Sequence, residues 1–312
     1  MIDEARVQAM RRRHSDGAIL VEVQSDSGWH RWTNDQLPLG LPPVPAWRDA
    51  AVDDLMTDTR LPFAPISFRD FMLYEQHVIG ASRAMARRYL PGRYRVTAAY
   101  ERITGSTFPM FKPNRLWFEQ PIYYMSNALT FVPSGTPVTT PAYARDLDYE
   151  LELGFVIGRP LRNATPAEAV AAISGYVVLN DLSARDVQIA EMRSGFGPQK
   201  AKHFASSMSD TVVAATSGID PYTLEAEVKI NGVTVTRSST RGMQHSLGEA
   251  LAHASKSEQL YPGELFGTGT LPGCSGIESD HLPQAGDRID LTIHGIGTIT
   301  HEFRSGAEKH RA

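Results

Sequence analysis

Residues Asp146-Leu-Asp-Tyr-Glu-Leu-Glu-Leu153 alternate strictly for eight positions and run straight into Gly154-Phe-Val-Ile-Gly158. Side chains in a strand point alternately to opposite faces. One face of this segment is therefore Leu147, Tyr149, Leu151 and Leu153, and the other is Asp146, Asp148, Glu150 and Glu152. Like charges at this spacing repel, and a buried carboxylate is costly without compensation. Two readings follow. Either the acidic face lies in water on an edge strand, where charges guard against aggregation, or a hard divalent cation takes oxygen ligands from it.

The remaining composition narrows the class. The chain has 312 residues, enough for a large core and for either one domain with an appendage or two domains. Its formal charge of −4 gives no basic footprint for nucleic acid or an anionic membrane. No apolar run reaches the length of a membrane span. The first residues, through Arg11-Arg-Arg-His14, show no apolar signal core, so a cytoplasmic location is expected. A single cysteine, Cys274, excludes an internal disulfide and a cysteine-rich zinc site; a passive thiol in a glycine-rich loop is expected there.

The first 60 residues read as a small separate unit. Ala18–Val23 and Trp29–Thr33 form a strand pair around a Ser25-Asp-Ser-Gly28 turn, and Leu37–Pro45, with four prolines in nine residues, reads as an extended linker. Phe68, Phe71, Met72, Tyr74 and Val78 predict a helix over about Ser67–Arg88. Residues 89–120 read as irregular, with Phe108-Pro-Met-Phe-Lys-Pro113 as a wall of an active site. Strands are predicted at 149–157, 175–180, 211–215, 224–230, 233–237, 288–293 and 297–303. Asn231-Gly232 marks a hairpin. Helices are predicted at Pro166–Ile173, Ser183–Met192 and Ser246–Ser257. The class is α+β, built on mixed or antiparallel sheet rather than on repeated βαβ units.

In Asn180-Asp-Leu-Ser-Ala-Arg-Asp-Val-Gln188 an apolar strand ends on Asp181, where a carboxylate can reach a neighbouring strand. Ser183 and Asp186 fit a capping pattern, and Arg185 and Gln188 share a helix face. Lys200 and Lys202 follow on a Gly/Pro loop; a loop lysine by itself is commonly just solvated.

Together Asp148-Tyr-Glu-Leu-Glu152, Asn180–Gln188, Lys202-His-Phe-Ala-Ser206 and Gly267-Thr-Gly-Thr270 resemble, in that order, the fumarylacetoacetate hydrolase family. Asp70-Phe-Met-Leu-Tyr-Glu-Gln-His77 and Pro121-Ile-Tyr-Tyr124 resemble two further family segments. The resemblance spans about residues 67–303. It implies a mixed β-sheet roll as the catalytic domain (61–312), preceded by a small N-terminal domain (1–60). It implies a metal site of Asp70, Glu150, Glu152 and Asp181, whose oxygen donors suit Mg²⁺, Mn²⁺ or Ca²⁺. His77 is then the general base, with Glu278 orienting it. Arg185, Gln188 and Lys202 donate to the substrate's oxygens, Tyr124 and Thr270 contact the substrate, and Asp146 and Asp148 stay outside the metal's shell. Met192 stands where the animal hydrolases carry tyrosine. The implied function is hydrolytic cleavage of a carbon–carbon bond in an acylpyruvate or 1,3-diketo acid, by a homodimer acting on a small oxo acid. Decarboxylation, hydration or isomerisation of 2-oxo acids is the alternative on the same scaffold, and a non-catalytic metal-dependent binder is the rival from another class.

Overall fold

The computed structural model of the protein describes residues 6–15, 18–53 and 58–305. The ends of both expected domains, and part of the stretch read for a signal core, lie outside the described residues.

The long strand Glu150–Ile157 sits in the middle of the largest sheet. Ile173–Asn180 pairs antiparallel along one side, and Glu264–Ser275 pairs antiparallel along the other. Beyond these lie Ser67–Phe71, parallel to Glu264–Ser275, and then Tyr123–Ser126. On the far side Thr211–Ala214 follows, and the order continues through Ala9–Ser15, Ala18–Ser25 and Gly28–Arg31. The segment expected as an N-terminal domain thus shares backbone pairing with the body, in the register Ala9↔Val213 to Arg11↔Thr211. A second sheet of five strands orders Val233–Ser239, Glu225–Ile230, Arg288–Ile293, Gly297–Arg304 and Val138–Thr139. Mixed sheets with helices at their margins make an α+β fold, as the sequence indicated.

The expected strands from 149 to 303 all form, with ends displaced by no more than two residues. Asn231 and Gly232 both take positive φ, 52° and 79°, as the hairpin signal required. The helices at 166–172 and 247–254 are each opened by a full capping box, Thr165 with Glu168 and Ser246 with Glu249.

Every residue of Glu150–Ile157 is buried. Its apolar side, Leu151, Leu153, Phe155 and Ile157, enters one core with Tyr149 and Leu291. Its other side ends in Val156, which packs in a second core with Phe68, Val177, Leu179 and Leu265. The solvent-exposed edge-strand reading is therefore excluded: the carboxylates of this strand are interior.

Four local expectations are corrected. Ser67–Phe71 is a strand, and the helix starts only at Glu75 and ends at Tyr89. A short apolar run buried on both sides carries no period that separates strand from helix. Residues 91–104 form a helix rather than an irregular segment, closed by Gly105 at φ 67°. Its apolar residues Val96, Tyr100 and Ile103 are exposed, so no inward stripe marked it. Ser183 does not cap the following helix; that helix starts at Arg185, while Ser183 Oγ donates to the Asp181 carbonyl. Asp186 instead accepts from the backbone amides of Arg145 and Asp146. Cys274 lies buried within Glu264–Ser275, not in a loop. Among the described residues no helix is long and apolar enough to cross a membrane.

Candidate active site

Three central strands deliver one carboxylate each to a common point. Asp70 comes from Ser67–Phe71, Glu152 from the acidic strand, and Asp181 from the residue after Ile173–Asn180. One oxygen from each lies within 4.8 Å of the others, and all three residues are buried. Burial, together with the mutual repulsion of Asp70, Glu152 and Asp181, holds the Asp70 and Glu152 carboxyls well above the usual carboxylate range. Burial raises Asp181 as well, with the Glu150 charge adding to it and Lys202 in part offsetting it. Asp70 Oδ1, Glu152 Oε2 and Asp181 Oδ1 have no hydrogen-bond partner. Three interior oxygens with unused lone pairs, supplied by hard donors and facing one point, suit a divalent cation of the Mg²⁺, Mn²⁺ or Ca²⁺ kind.

Glu150 does not join these three. Its Oε1 accepts from Arg185 Nη2 at 2.6 Å, and its Oε2 accepts from Lys202 Nζ. Burial alone would raise its pKa, but Arg185 and Lys202 outweigh that and hold the carboxylate below the ordinary range. The four-carboxylate cluster expected from the resemblance is thus arranged as two carboxylates without a cation, Asp70 and Glu152, one that shares Lys202, Asp181, and one matched by both Arg185 and Lys202, Glu150. Lys202 also donates to Asp181, and Tyr124 Oη donates to Asp181 Oδ2 at 2.6 Å. The carboxylates of Asp181 and Glu150 keep the buried Lys202 ammonium protonated despite its burial. So held, its ammonium donates to both carboxylates. Thr270 Oγ1 lies 3.4 Å from Glu152 Oε1, a long contact. Arg185 is clamped, not free: Nε reaches Asp148 at 2.7 Å and Nη1 reaches Gln188 Oε1 at 3.0 Å.

His77 is buried in the first turn of its helix, with Nδ1 2.7 Å from Glu278 Oε2 and Nε2 3.9 Å from Glu150 Oε1. Glu278 is itself fixed by Ser275 Oγ at 2.7 Å and the Gly273 amide at 3.2 Å. With a carboxylate at Nδ1, that nitrogen carries the proton and Nε2, on the Glu150 side, keeps its lone pair. The expected site residues therefore assemble in one place, with the Arg185 and Lys202 side chains spent on Glu150. Sequence reading passed over Asp148, which sits beneath Arg185. Its position two residues before Glu150, on the same strand face, was the available signal.

The cradle depends on Gly267, which pairs with Asp70 on one side and Gly154 on the other. A Cβ there would lie 2.4 Å from Asp70 Oδ1 and 2.6 Å from Glu152 Oε2, two of the three unpartnered oxygens. Gly267→Ala should fold yet bind Mn²⁺ more weakly, by on the order of 10–100-fold, as for disturbed ligand support elsewhere. Calorimetric titration checks it, and wild-type affinity would mean that the cation sits elsewhere.

Comparison with known proteins bears on the family and the fold. The family described as fumarylacetoacetate hydrolase, C-terminal, matches residues 97–304. Human mitochondrial oxaloacetate tautomerase FAHD1 is 31% identical over 182 residues, covering 58% of this chain and 80% of that protein. Among solved structures, a fumarylacetoacetate hydrolase from Exiguobacterium antarcticum superposes with a TM-score of 0.67 at 22% identity, over 96% of this chain and 99% of the other. The 5-carboxymethyl-2-hydroxymuconate delta-isomerase of Mycobacterium smegmatis does so at 0.63 and 22%, over 96% and 100%. At these identities the two structures bear on the fold alone.

Proposed function

The chain belongs to the fumarylacetoacetate hydrolase family, and from that premise we propose that it hydrolyses a carbon–carbon bond of an acylpyruvate or related 1,3-diketo acid with the help of a divalent cation. The observation that carries this reading is the buried His77–Glu278 pair, in which His77 Nε2 lies 3.9 Å from Glu150, the carboxylate that shares Lys202 with Asp181. Water must lose a proton to attack a carbonyl, and a histidine with an oriented lone pair is the usual acceptor.

Asp70, Glu152 and Asp181 would hold the cation, which when bound would supply Lewis-acid stabilisation of the negative charge that develops on the diketo acid's oxygens. His77 Nε2 takes the proton from water, and the water oxygen bonds to the acyl carbon as the carbonyl π pair moves onto its own oxygen, to return when the carbon–carbon bond breaks. Glu278 stabilises the imidazolium through Nδ1–H. The bond between the acyl carbon and the pyruvyl methylene breaks, and its electron pair passes to that methylene. A proton from the His77 imidazolium or the Lys202 ammonium completes pyruvate.

A second reading is favoured by the human relative, an oxaloacetate tautomerase. The same base would then move a proton between carbon and oxygen with no water added. Mn²⁺-loaded protein offered a panel of acylpyruvates and, separately, oxaloacetate distinguishes the two. Pyruvate release supports hydrolysis. Loss of enol absorbance with no pyruvate supports tautomerisation, and carbon dioxide release would move the reading to decarboxylation. No turnover at full metal loading would leave a binding role.

The pair also sets a pH dependence. Burial lowers the His77 pKa, but the Glu278 and Glu150 carboxylates outweigh it and raise the value above its ordinary 6.5. A base works only when neutral, so activity falls as pH drops through this raised value. Glu278→Gln removes the largest raising influence. Measured on metal-loaded protein, the acidic limb of kcat/KM should move to lower pH than in wild type while the maximal rate also drops. An unmoved limb would assign that titration to another group.

A further inference from the structure

We propose that Asp148 is a positioning residue that holds the Arg185–Glu150 side of the site and the Glu278–His77 side in one fixed relation. The proposal rests on the reading of His77 and Glu278 as the working pair. Asp148 is fully buried, 0% exposed. Its Oδ1 accepts from the amides of Tyr149 at 2.8 Å and Gly276 at 2.7 Å. Its Oδ2 accepts from the Ile277 amide at 3.0 Å and Arg185 Nε at 2.7 Å. All four lone-pair directions of one carboxylate are thus in use.

Three of these donors, Gly276, Ile277 and Arg185, belong to the two halves of the site. Gly276 and Ile277 open the short turn Gly276–Ser279, which carries Glu278 and through it the His77 ring. Arg185 continues to Glu150 Oε1, which lies 3.9 Å from His77 Nε2. The links form a chain that is open only at the 3.9 Å gap between His77 Nε2 and Glu150 Oε1: His77 to Glu278, Glu278's turn to Asp148, Asp148 to Arg185, and Arg185 to Glu150. The backbone reinforces it, since Leu147–Asp148 pairs with Ser183–Ala184 immediately before Arg185. Removing a buried hub of this kind leaves several donors unsatisfied at once and frees both arms to shift.

Gly276 is the other half of the joint. A Cβ there would fall 2.4 Å from Asp148 Oδ1 and 2.7 Å from the His281 carbonyl oxygen. Gly276→Ala therefore pushes the Glu278 turn away from Asp148 while leaving the Asp148–Arg185 bond in place.

The test uses the full-length, Mn²⁺-loaded protein as Asp148→Asn and as Gly276→Ala. Displacing catalytic groups by about an ångström costs on the order of 10²-fold in rate. A fall in kcat of that size is expected, with KM and Mn²⁺ affinity little changed, because Asp148 touches none of Asp70, Glu152 and Asp181. The downfield proton resonance of His77 Nδ1–H, read with diamagnetic Mg²⁺ in place of Mn²⁺, should shift or broaden in both variants. Combining Asp148→Asn with Glu278→Gln should cost less than the product of the two single losses. The resonance needs no substrate, so it tests Asp148 even if wild type releases no pyruvate from any acylpyruvate, a result that would sink the hydrolytic reading alone. A folded Asp148→Asn protein with a native His77 resonance and near-wild-type kcat overturns the proposal. Should that variant fail to fold, a folded Gly276→Ala protein with an unchanged resonance overturns it equally.

Discussion

Glu152→Gln should abolish both the cation's stabilising effect and turnover, while leaving the metal-free protein at least as stable as wild type. The opposite signs come from one arrangement. Without a cation, Glu152 is buried against Asp70 and Asp181, and burial plus their repulsion raises its pKa well above the ordinary value. A neutral amide of the same shape removes the like-charge cost. With a cation at about 100 times its dissociation constant, wild type gains about 2.7 kcal/mol that the variant cannot recover. Thermal denaturation with and without Mn²⁺ shows the contrast directly. Wild-type Mn²⁺ affinity in the variant would remove Glu152 from the site.

The linkage to pH has a definite sign. Asp70, Glu152 and Asp181 have folded pKa values above their ordinary ones. The folded state thus binds more protons than the unfolded chain, and the stability of metal-free protein falls as pH rises from the ordinary carboxylate range through the raised values. A bound cation competes with those protons, so the slope should flatten on adding Mn²⁺. An equal slope with and without the ion would separate these carboxylates from its binding.

Much of this was legible in the chain because period-2 alternation survives in a buried strand when one side holds a polar site. Asp146–Leu153 showed its two faces, and Asn231-Gly232 marked its hairpin without tertiary help, whereas the capping pattern of Ser183 and Asp186 did not form. The failures have physical causes. Ser67–Phe71 is interior on both faces, so the spacing of Phe68 and Phe71 fitted a helix as well as a strand. The helix 91–104 shows outward apolar residues and so hid its period. Which carboxylates stay unmatched could not be read from spacing. Glu150 and Glu152 are equivalent by alternation, and only the approach of Arg185 and Lys202 from later in the chain separates them. Asp148 was set aside as remote from the metal; its importance lies in the contacts it gathers rather than in any ligand role.

His77→Ala should lose about 10²–10⁴-fold in kcat for a hydrolysed diketo acid, with Mn²⁺ affinity retained. The fold should tolerate the change. His77 lies in the first turns of Glu75–Tyr89, where alanine is a better helix former. Glu278 keeps its bonds from Ser275 Oγ and the Gly273 amide when the imidazole is gone. None of the three carboxylates that face the cation site bonds to His77, so metal loading and catalysis separate cleanly in this variant. The acidic limb of the pH profile should vanish with the ring that produces it, leaving a slow rate that is flat through that range. This distinguishes a lost base from a merely loosened site, which would keep the limb at reduced height. A folded, metal-loaded His77→Ala protein with unchanged kcat would overturn the assignment of His77 as the group that activates water. The reaction would then have to draw on the cluster's remaining groups, of which Lys202 is held protonated between Glu150 and Asp181 and so can give a proton but not take one.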